Sequence, residues 1–340
     1  MIRDAIATLV SGRSLDASAA SIVMSEVMDG DATPAQISAF AIALRMKGQT
    51  PEEVAGLASA MLSRAIRIDA GAELDTCGTG GDGSRSFNIS TAAAFVAAGA
   101  GVRVAKHGNR AMSSSCGSAD VLEALGVRID LEPASVGRCI REVGIGFMFA
   151  PKFHPAMKHA AGPRREIGVR TVFNVLGPLC NPANAGAQLL GVADPALVDL
   201  MANALMRLGI RRAMVVHGED GLDELTLSGP TSVCQIRDGR KDRYVVKPED
   251  FGIQRAAGRL LLGGTAEENA ALLKAVLSGE CGAHRDVVAL NAGAALTVSG
   301  AVDGLAEGIR LAEEVIDTGR ALARLNALTA FCRNHQEVAA

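Results

Sequence analysis

The sequence predicts an α/β protein: a small all-helical domain at the N-terminus, then a large α/β domain with a central mixed, mostly parallel sheet. Two observations predict it. Residues 1 to about 70 carry helical patterns, and from about residue 72 short apolar runs typical of strands alternate with helical segments. We therefore place the helical domain at 1–70 and the α/β domain at 71–340. Helices from about 160–183, in a segment punctuated by proline and glycine, are expected to return to the helical domain.

Clear capping signals mark the helices of the first domain. Thr33-Pro34-Ala35-Gln36 and Thr50-Pro51-Glu52-Glu53 are capping boxes with proline at the first helical position, and Gly48 ends the helix between them. The apolar residues of that helix lie on two faces, with Ile37, Phe40, Ala41 and Leu44 on one and Ile42 and Met46 on another. A helix with two apolar faces is usually covered on both, so we expect a homodimer formed through the helical domain.

In the second domain, strands and helices are predicted in alternation. The strands are predicted at 102–105, 145–149, 189–192 and 213–217. The helices are predicted at 92–98, 118–125, 133–143, 197–208 and 266–277, with two more near the C-terminus. Three short runs separated by turn signals, at 225–227, 232–237 and 243–246, are predicted to be antiparallel strands at an edge of the sheet.

Composition limits the classes of function. The 340 residues are 49% hydrophobic and 21% charged, as expected for a folded chain with a substantial core. A net charge of −3 disfavours a nucleic-acid or membrane-surface partner. Seven scattered cysteines without a Cys-x-x-Cys pair indicate reduced thiols. The N-terminus lacks a signal-peptide pattern and no apolar run could span a bilayer, so we expect a cytoplasmic protein.

A glycine-rich turn at 78–83 opens a stretch that contains no acidic residue between Asp82 and Asp120. The turn fits the Gly-x-Gly-x-x-Gly pattern of dinucleotide-binding proteins. That site also needs an acidic residue about 20 positions further on, and none is present. A P-loop is excluded as well, because no Gly-Lys-Ser/Thr follows. A tight structural turn and a phosphate-binding turn remain as interpretations.

The residues after the turn favour phosphate binding. Asn88, Ser90 and Thr91 begin a helix whose first N–H groups are free to bind an anion. Four cations are expected to gather where no carboxylate competes: Arg85, Arg103, Lys106 and Arg110. Lys106-His107-Gly108-Asn109-Arg110 is predicted to lie in a loop after a strand, and Ser113, Ser114 and Ser118 add donors. His107 could equally be a packed histidine and Asn109 a turn residue.

Two further groups could complete a site. Asp223-Glu224 follows a predicted strand and could be a solvated acidic turn, or it could hold Mg²⁺ together with the phosphates of a ligand. Arg164 could be a surface arginine on a connecting helix, or it could bind a small carboxylate through two hydrogen bonds.

These motifs resemble the anthranilate phosphoribosyltransferase family over essentially the whole chain. The residues that carry the resemblance are 75–83, 87–91, 106–110, 117–123, 151–157, 170–174 with Gly177-Pro178, and 220–224. The resemblance implies transfer of the phosphoribosyl group from 5-phosphoribosyl 1-pyrophosphate (PRPP) to the amine of anthranilate, with Mg²⁺ as cofactor, as the second step of tryptophan biosynthesis. It also implies the nucleoside-phosphorylase-like architecture, a cleft at the hinge between two domains, and a homodimer.

The resemblance also implies the site residues. PRPP would be contacted by Gly78, Gly81, Asp82, Ser86, Asn88, Ile89, Ser90, Thr91, Lys106, His107, Gly108, Asn109, Arg110, Ala111, Met112, Ser113, Ser114 and Ser118. Ser90, Asp223 and Glu224 would serve the metal, and Gly78, Asn109 and Arg164 would line the anthranilate site. Lys106, Asp223 and Glu224 would be catalytic.

Two departures and two alternatives accompany the resemblance. Ser115 and Cys116 stand where many relatives carry lysine and serine, which removes a possible cation from the phosphate loop, whereas Ser86 replaces a threonine and keeps the hydroxyl. The alternatives are a pyrimidine-nucleoside phosphorylase of the same architecture, which the motifs around Lys106 and Asp223 disfavour, and a non-catalytic nucleic-acid-binding relative, which the net charge disfavours.

Overall fold

The computed structural model describes residues 1–111 and 115–334. The chain begins with four helices, α1 Ile2–Val10, α2 Ala17–Asp29, α3 Pro34–Lys47 and α4 Pro51–Ser63. Both capping boxes are confirmed: the Thr33 hydroxyl accepts the Gln36 N–H and the Gln36 side chain accepts the Thr33 N–H, and Thr50 and Glu53 repeat the pattern. Gly48 ends α3 with a positive φ, as expected.

A seven-stranded sheet forms the centre of the second domain. Its strands are β1 Leu74–Gly78, β2 Val104–Gly108, β3 Ile145–Phe149, β4 Ala187–Gly191, β5 Arg212–Gly218, β6 Thr231–Arg237 and β7 Arg240–Val246. They lie in the order β3-β2-β1-β4-β5-β6-β7; the first five are parallel, and β6 and β7 are antiparallel at one edge. The predicted fold class, with its mixed and mostly parallel sheet, is confirmed.

Helices follow β1 along the rest of the described chain, and most of them cover the two faces of the sheet. They are α5 Ile89–Gly99, α6 Ser118–Ala124, α7 Pro133–Val143, α8 Ala150–Phe153, α9 Lys158–Ile167, α10 Phe173–Leu176, α11 Ala196–Arg207, α12 Ala266–Leu277, α13 Ala283–Ser299, α14 Leu305–Asp317 and α15 Arg320–Asn334. Alanine-rich α5 is buried along nearly its whole length, where it packs against β1, α13 and α15. Its small side chains allow this close approach.

Three sequence predictions were wrong in this domain. The first strand, β1, was not predicted, because Asp75 and Thr76 interrupt its apolar pattern. Lys106 and His107 lie within β2 and not in the loop after it, since the strand extends to Gly108. Residues 225–227 form no strand, although they are apolar, because they pack beneath α13 without joining the sheet.

The segment between β3 and β4 packs against the first four helices. Ala160 of α9 and Phe173 and Leu176 of α10 are buried in the same apolar cluster as Phe40 and Leu57. We propose on this basis that α9 and α10 belong to the helical domain and that the domain division falls near residue 70. The second face of α3 is open in the single chain, with Met46 82% exposed, and the homodimer stays a prediction. In the described residues no helix is long and apolar enough to cross a membrane.

The helical domain contains one buried ion pair. The Glu53 carboxylate is fully buried, and it accepts hydrogen bonds from the Leu15 N–H at 2.9 Å, the Thr50 N–H at 2.8 Å and the Lys47 ammonium at 2.8 Å. Three donors therefore depend on one side chain.

We predict that Glu53→Ala lowers the free energy of unfolding by about 3–5 kcal/mol, because it leaves a buried ammonium without its counter-ion. The neighbouring Glu52 pairs with Arg207 at the surface, so Glu52→Ala is the matched control, with an expected loss below about 1 kcal/mol. Urea unfolding of both variants measures the difference. Equal losses would show that the buried pair has no special role.

Candidate functional site

The glycine turn and the start of α5 follow β1 at the carboxyl edge of the parallel strands, where ligands bind in open α/β sheets. Gly80, Gly81 and Gly83 all have positive φ angles. At Gly81 a Cβ atom would lie 1.6 Å from the guanidinium of Arg170, so the position must be glycine for two reasons. Arg170 also donates to the Thr79 carbonyl at 3.0 Å. The segment between β3 and β4, which contains Arg170, therefore contacts the glycine turn directly.

Two carboxylates from a distant part of the chain reach this turn. Asp223 accepts the Gly80 N–H at 2.7 Å, and Glu224 accepts the Ser90 N–H at 3.1 Å in the first turn of α5. The approach is close, because a Cβ atom at Gly78 would lie 2.3 Å from the Asp223 carboxylate and one at Gly191 would lie 1.5 Å from its carbonyl. The predicted pairing of the glycine turn with this acidic pair is therefore seen as direct contact.

The prediction that no carboxylate competes for the amides of this pocket was wrong. Asp223 and Glu224 lie well over a hundred residues after the turn in sequence, but β1 and β4 are neighbours and β5 follows β4, so the loop after β5 arrives beside the turn. In this structure the carboxylate oxygens are bound where phosphate oxygens of a ligand would be expected to bind. These N–H groups therefore already donate hydrogen bonds to carboxylate oxygens.

Burial and neighbouring carboxylates raise the pKa values of Asp223 and Glu224. Burial, and then the nearby Asp82 carboxylate, raise the pKa of Asp223 to about 6. Burial and Asp223 raise the pKa of Glu224 well above its usual range, although Lys106 opposes the shift. Three carboxylates that face one another with too little positive charge form a site that a divalent cation would stabilise.

The donor set fits Mg²⁺ bound together with a ligand. Among residues 1–111 and 115–334, no cluster of three or more histidine, cysteine, aspartate or glutamate side chains could enclose a metal by itself. Mg²⁺ is usually held by one or two carboxylates, waters and the phosphates of a substrate, which is what Asp223 and Glu224 would offer. Ser90 is the third predicted metal residue. Its hydroxyl accepts a hydrogen bond from the Lys106 ammonium at 3.3 Å in this structure.

Lys106 is buried beneath the turn and points toward the acidic pair. Its ammonium donates to the Thr76 carbonyl at 2.6 Å and to the Ser90 hydroxyl at 3.3 Å. Burial lowers the pKa of Lys106, and the charges of Asp75 and Glu224 oppose that shift. Asp75, also buried, accepts the His107 N–H and a bond from Gln188. Gln188, Asp75 and Lys106 thus place buried polar groups side by side on neighbouring strands.

The other three predicted cations do not gather in the pocket. Arg110 pairs with Asp120 at 3.1 Å and also with Glu123, both on α6, and these contacts raise the pKa of Arg110. Arg103 precedes β2 and pairs with Glu73 at the opposite edge of the sheet, at 3.5 Å. Arg85 is exposed on the turn with a φ of 54°. The sequence prediction ignored strand direction, which places Arg103 and Lys106 at different ends of β2.

The remaining predicted PRPP residues surround this core. Ile89 and Thr91 are buried, and Gly108 lies against Ser118, whose hydroxyl donates to the Asn109 carbonyl at 3.3 Å. The Ala111 N–H donates to Asp120, and the Ser86 N–H donates to the Ser84 hydroxyl. Met112, Ser113 and Ser114 lie outside the described residues.

His107 is buried and neutral. Its ring lies 5.1 Å from that of His154, and burial together with that neighbour lowers the pKa of His107 to about 3. Among the described residues its Nε2 atom has no hydrogen-bond partner. His107 therefore brings no positive charge to the pocket.

Arg164 lies on α9, partly buried, with its guanidinium 5.7 Å from the centre of the Phe173 ring. Burial lowers the pKa of Arg164. In the described part of the chain no carboxylate pairs with it. A partly buried guanidinium without a counter-ion is suited to bind an anion such as a carboxylate.

Sequence reasoning missed one residue that supports the site. Asn269 on α12 is 1% exposed; it donates to the Asn88 side chain at 3.0 Å and accepts the Gly264 N–H at 2.7 Å. It fixes the side chain that precedes α5. Its signal was a polar residue in the apolar pattern of a helix, which usually marks a buried hydrogen-bond partner.

Comparisons with known proteins agree along the chain. Residues 3–65 match the model of the glycosyl transferase family helical bundle domain, and residues 70–322 match that of the glycosyl transferase family a/b domain. The chain is 57% identical to the anthranilate phosphoribosyltransferase of Chloroflexus aggregans over 335 residues, covering 98% of each chain. This similarity rejects the two alternatives, the nucleoside phosphorylase and the non-catalytic nucleic-acid binder.

Two solved structures share the fold. The anthranilate phosphoribosyltransferase of Thermus thermophilus is 47% identical with a TM-score of 0.92, over 97% of this chain and 99% of that one. That of Saccharomyces cerevisiae, in complex with PRPP and Mg, is 28% identical with a TM-score of 0.89, over 98% of each chain.

The raised pKa of Asp223 has a consequence for stability. Its folded value of about 6 exceeds the ordinary 3.8, so the fold is stabilised by the protonated form. That contribution is complete below about pH 4 and is lost as the pH rises through about 6.

We predict that Asp223→Asn, measured in EDTA, is more stable than the parent by about 3 kcal/mol at pH 7.5, since one pKa unit corresponds to about 1.4 kcal/mol. The difference should vanish by pH 4. Thermal unfolding of both proteins across this range is the measurement. Parallel stability curves would rule out a raised pKa.

Proposed function

This chain belongs to the anthranilate phosphoribosyltransferase family, and we propose that Asp223 and Glu224, the glycine turn, Lys106 and Arg164 carry its reaction. The chain transfers the 5-phosphoribosyl group of PRPP to the amine of anthranilate, giving N-(5-phosphoribosyl)anthranilate and pyrophosphate, the second step of tryptophan biosynthesis. One observation supports the residue assignment above others: the two carboxylates accept the N–H groups of Gly80 in the glycine turn and of Ser90 in the first turn of α5.

The glycine turn and α5 would hold the pyrophosphate of PRPP. The N–H groups of Gly80 and Ser90 already bind carboxylate oxygens, and the positive end of the α5 dipole favours a negative ligand. Lys106, buried and directed at the same place, would add a positive charge as the leaving group becomes more negative. Mg²⁺, when bound at Asp223 and Glu224, supplies further neutralisation of that leaving group.

Arg164 would orient the acceptor. Bond breaking at C1 of the ribose leaves positive charge on the sugar, so a neutral amine placed opposite the leaving group can attack without a base. Positioning is therefore the main task of the protein, and the unpaired guanidinium of Arg164 would bind the anthranilate carboxylate. Asn109 and Gly78 would line the same pocket, and closure of the two domains would exclude water.

We propose a cytoplasmic homodimer. The open apolar face of α3 around Met46 supports a homodimer formed through the helical domain. The biosynthetic reaction supports a cytoplasmic enzyme with small-molecule substrates. Light scattering on the purified protein measures the mass of the assembly, and a monomer at micromolar concentration would reject the dimer.

The decisive activity measurement follows the fluorescence of anthranilate. We expect the signal to fall when PRPP and Mg²⁺ are added to the protein with anthranilate, and to stay constant when any one component is left out. Constant fluorescence with all components present and the protein folded would contradict the activity.

We predict that Arg164→Ala raises the KM for anthranilate by about 10- to 100-fold, since a hydrogen bond to a charged group contributes about 1.5–3 kcal/mol. The KM for PRPP should change little. Arg165→Ala, an exposed arginine on the same helix, is the matched control and should behave as the parent. An unchanged anthranilate KM in Arg164→Ala would remove this residue from the acceptor site.

We predict that the double variant Asp223→Asn, Glu224→Gln raises the Mg²⁺ concentration for half-maximal activity by at least about 10-fold, because neutral amides bind Mg²⁺ poorly. Glu219→Gln alters an exposed carboxylate of the same loop and serves as control. Titration of initial rates with Mg²⁺ is the measurement. Full activity of the double variant at low Mg²⁺ would refute the metal assignment.

A further inference from the structure

A single buried side chain holds the backbone directly after the acidic pair. Asn291 lies in the middle of α13 and is 0% exposed. Its Oδ1 atom accepts the Leu225 N–H at 2.9 Å, and its Nδ2 group donates to the Leu225 carbonyl at 2.9 Å. The second Nδ2 proton bonds to the Val287 carbonyl at 2.9 Å, one turn earlier in α13. The Asn291 side chain thus forms hydrogen bonds with both the N–H and the carbonyl group of Leu225.

The segment that carries the acidic pair has no secondary structure of its own. Residues 219–230 lie between β5 and β6 and belong to no helix or strand. Leu225 is 1% exposed, so its N–H and carbonyl cannot turn to water, and leaving them unpaired would be costly. Asn291 therefore replaces the hydrogen bonds that a sheet would supply.

The same segment is confined on its other side. The backbone carbonyl of Asp223 packs against Gly191 at the end of β4, where any side chain would collide with it. Gly191 and Asn291 hold the backbone on the two sides of Asp223 and Glu224. With both ends of this short stretch fixed, the two carboxylates reach Gly80 and Ser90 with little freedom.

We infer that Asn291 is a positioning residue for the metal-binding carboxylates, and that it presets the backbone of residues 223–225 before any ligand arrives. The inference rests on the proposed metal role of Asp223 and Glu224. Asn291 does not touch a ligand; it acts through the Leu225 peptide. Partners that orient metal ligands typically change metal affinity or activity by 10- to 100-fold when they are removed.

A purely structural role predicts something different. A buried asparagine that only satisfies Leu225 would affect stability and leave metal affinity unchanged. Thr297 provides the matched control, because it lies on the same helix, is buried, and donates its hydroxyl to the Gly293 carbonyl at 2.8 Å, away from the acidic pair. Thr297→Val also removes one buried hydrogen bond from α13.

The experiment measures Mn²⁺ binding by the loss of its free electron paramagnetic resonance signal, with PRPP present, anthranilate absent and a protein-free PRPP blank. We expect Asn291→Asp, which keeps the volume and loses both donors, and Asn291→Ala to raise the Mn²⁺ dissociation constant by about 10-fold. Thr297→Val should bind Mn²⁺ as the parent does. Parent-like binding by folded Asn291 variants would overturn the inference.

Two further arms separate the possible failures. If the double variant Asp223→Asn, Glu224→Gln binds Mn²⁺ as the parent does, the proposed metal site itself is wrong; if it loses Mn²⁺ while the Asn291 variants retain it, only the positioning role fails. Hydrogen exchange of the unaltered protein tests the same point without a variant. The Leu225 amide should be protected before metal is added, and protection that appears only with Mg²⁺ and PRPP would overturn a preset backbone.

Discussion

The site depends on the insertion of two carboxylates between a glycine turn and the start of a helix. Asp223 and Glu224 enter there because Gly78 leaves room for the Asp223 carboxylate and Gly191 leaves room for the Asp223 backbone carbonyl. No side chain could be added at either glycine without a collision. The contact joins the loops that follow β1 and β5, which flank β4 in the sheet. The proposed phosphate donors and the proposed metal ligands, which attract opposite charges, are thus built as one unit.

That unit is electrostatically unfavourable in the absence of ligands. Burial and nearby carboxylates raise the pKa values of Asp223 and Glu224, and burial lowers that of Lys106. Asp75 lies on the other side of Lys106 and helps to keep its charge. A site of this kind stores destabilisation that a cation and a polyphosphate relieve, which is a common trade between stability and function.

Local signals in the sequence predicted much of the fold, but they could not predict contacts between residues that are far apart in the chain. The capping boxes at Thr33 and Thr50 specify helix starts through residues three apart, so a sequence pattern contains them fully. The strand β1 was missed because Asp75, which the apolar pattern disfavours, is made acceptable by Lys106 from the neighbouring strand. The residue types of the site were predictable from motifs, but the pairing of Arg110 with α6 and the bond from Asp223 to Gly80 depend on packing.

Arg170 connects the two parts of the molecule in a way that constrains their motion. Its backbone carbonyl accepts a hydrogen bond from Arg45 of α3, while its side chain grips Thr79 and lies over Gly81. Arg170 therefore contacts both the helical bundle and the glycine turn. A displacement of the bundle relative to the sheet would have to strain or break one of these two hydrogen bonds, so the bonds favour one relative placement of the two parts.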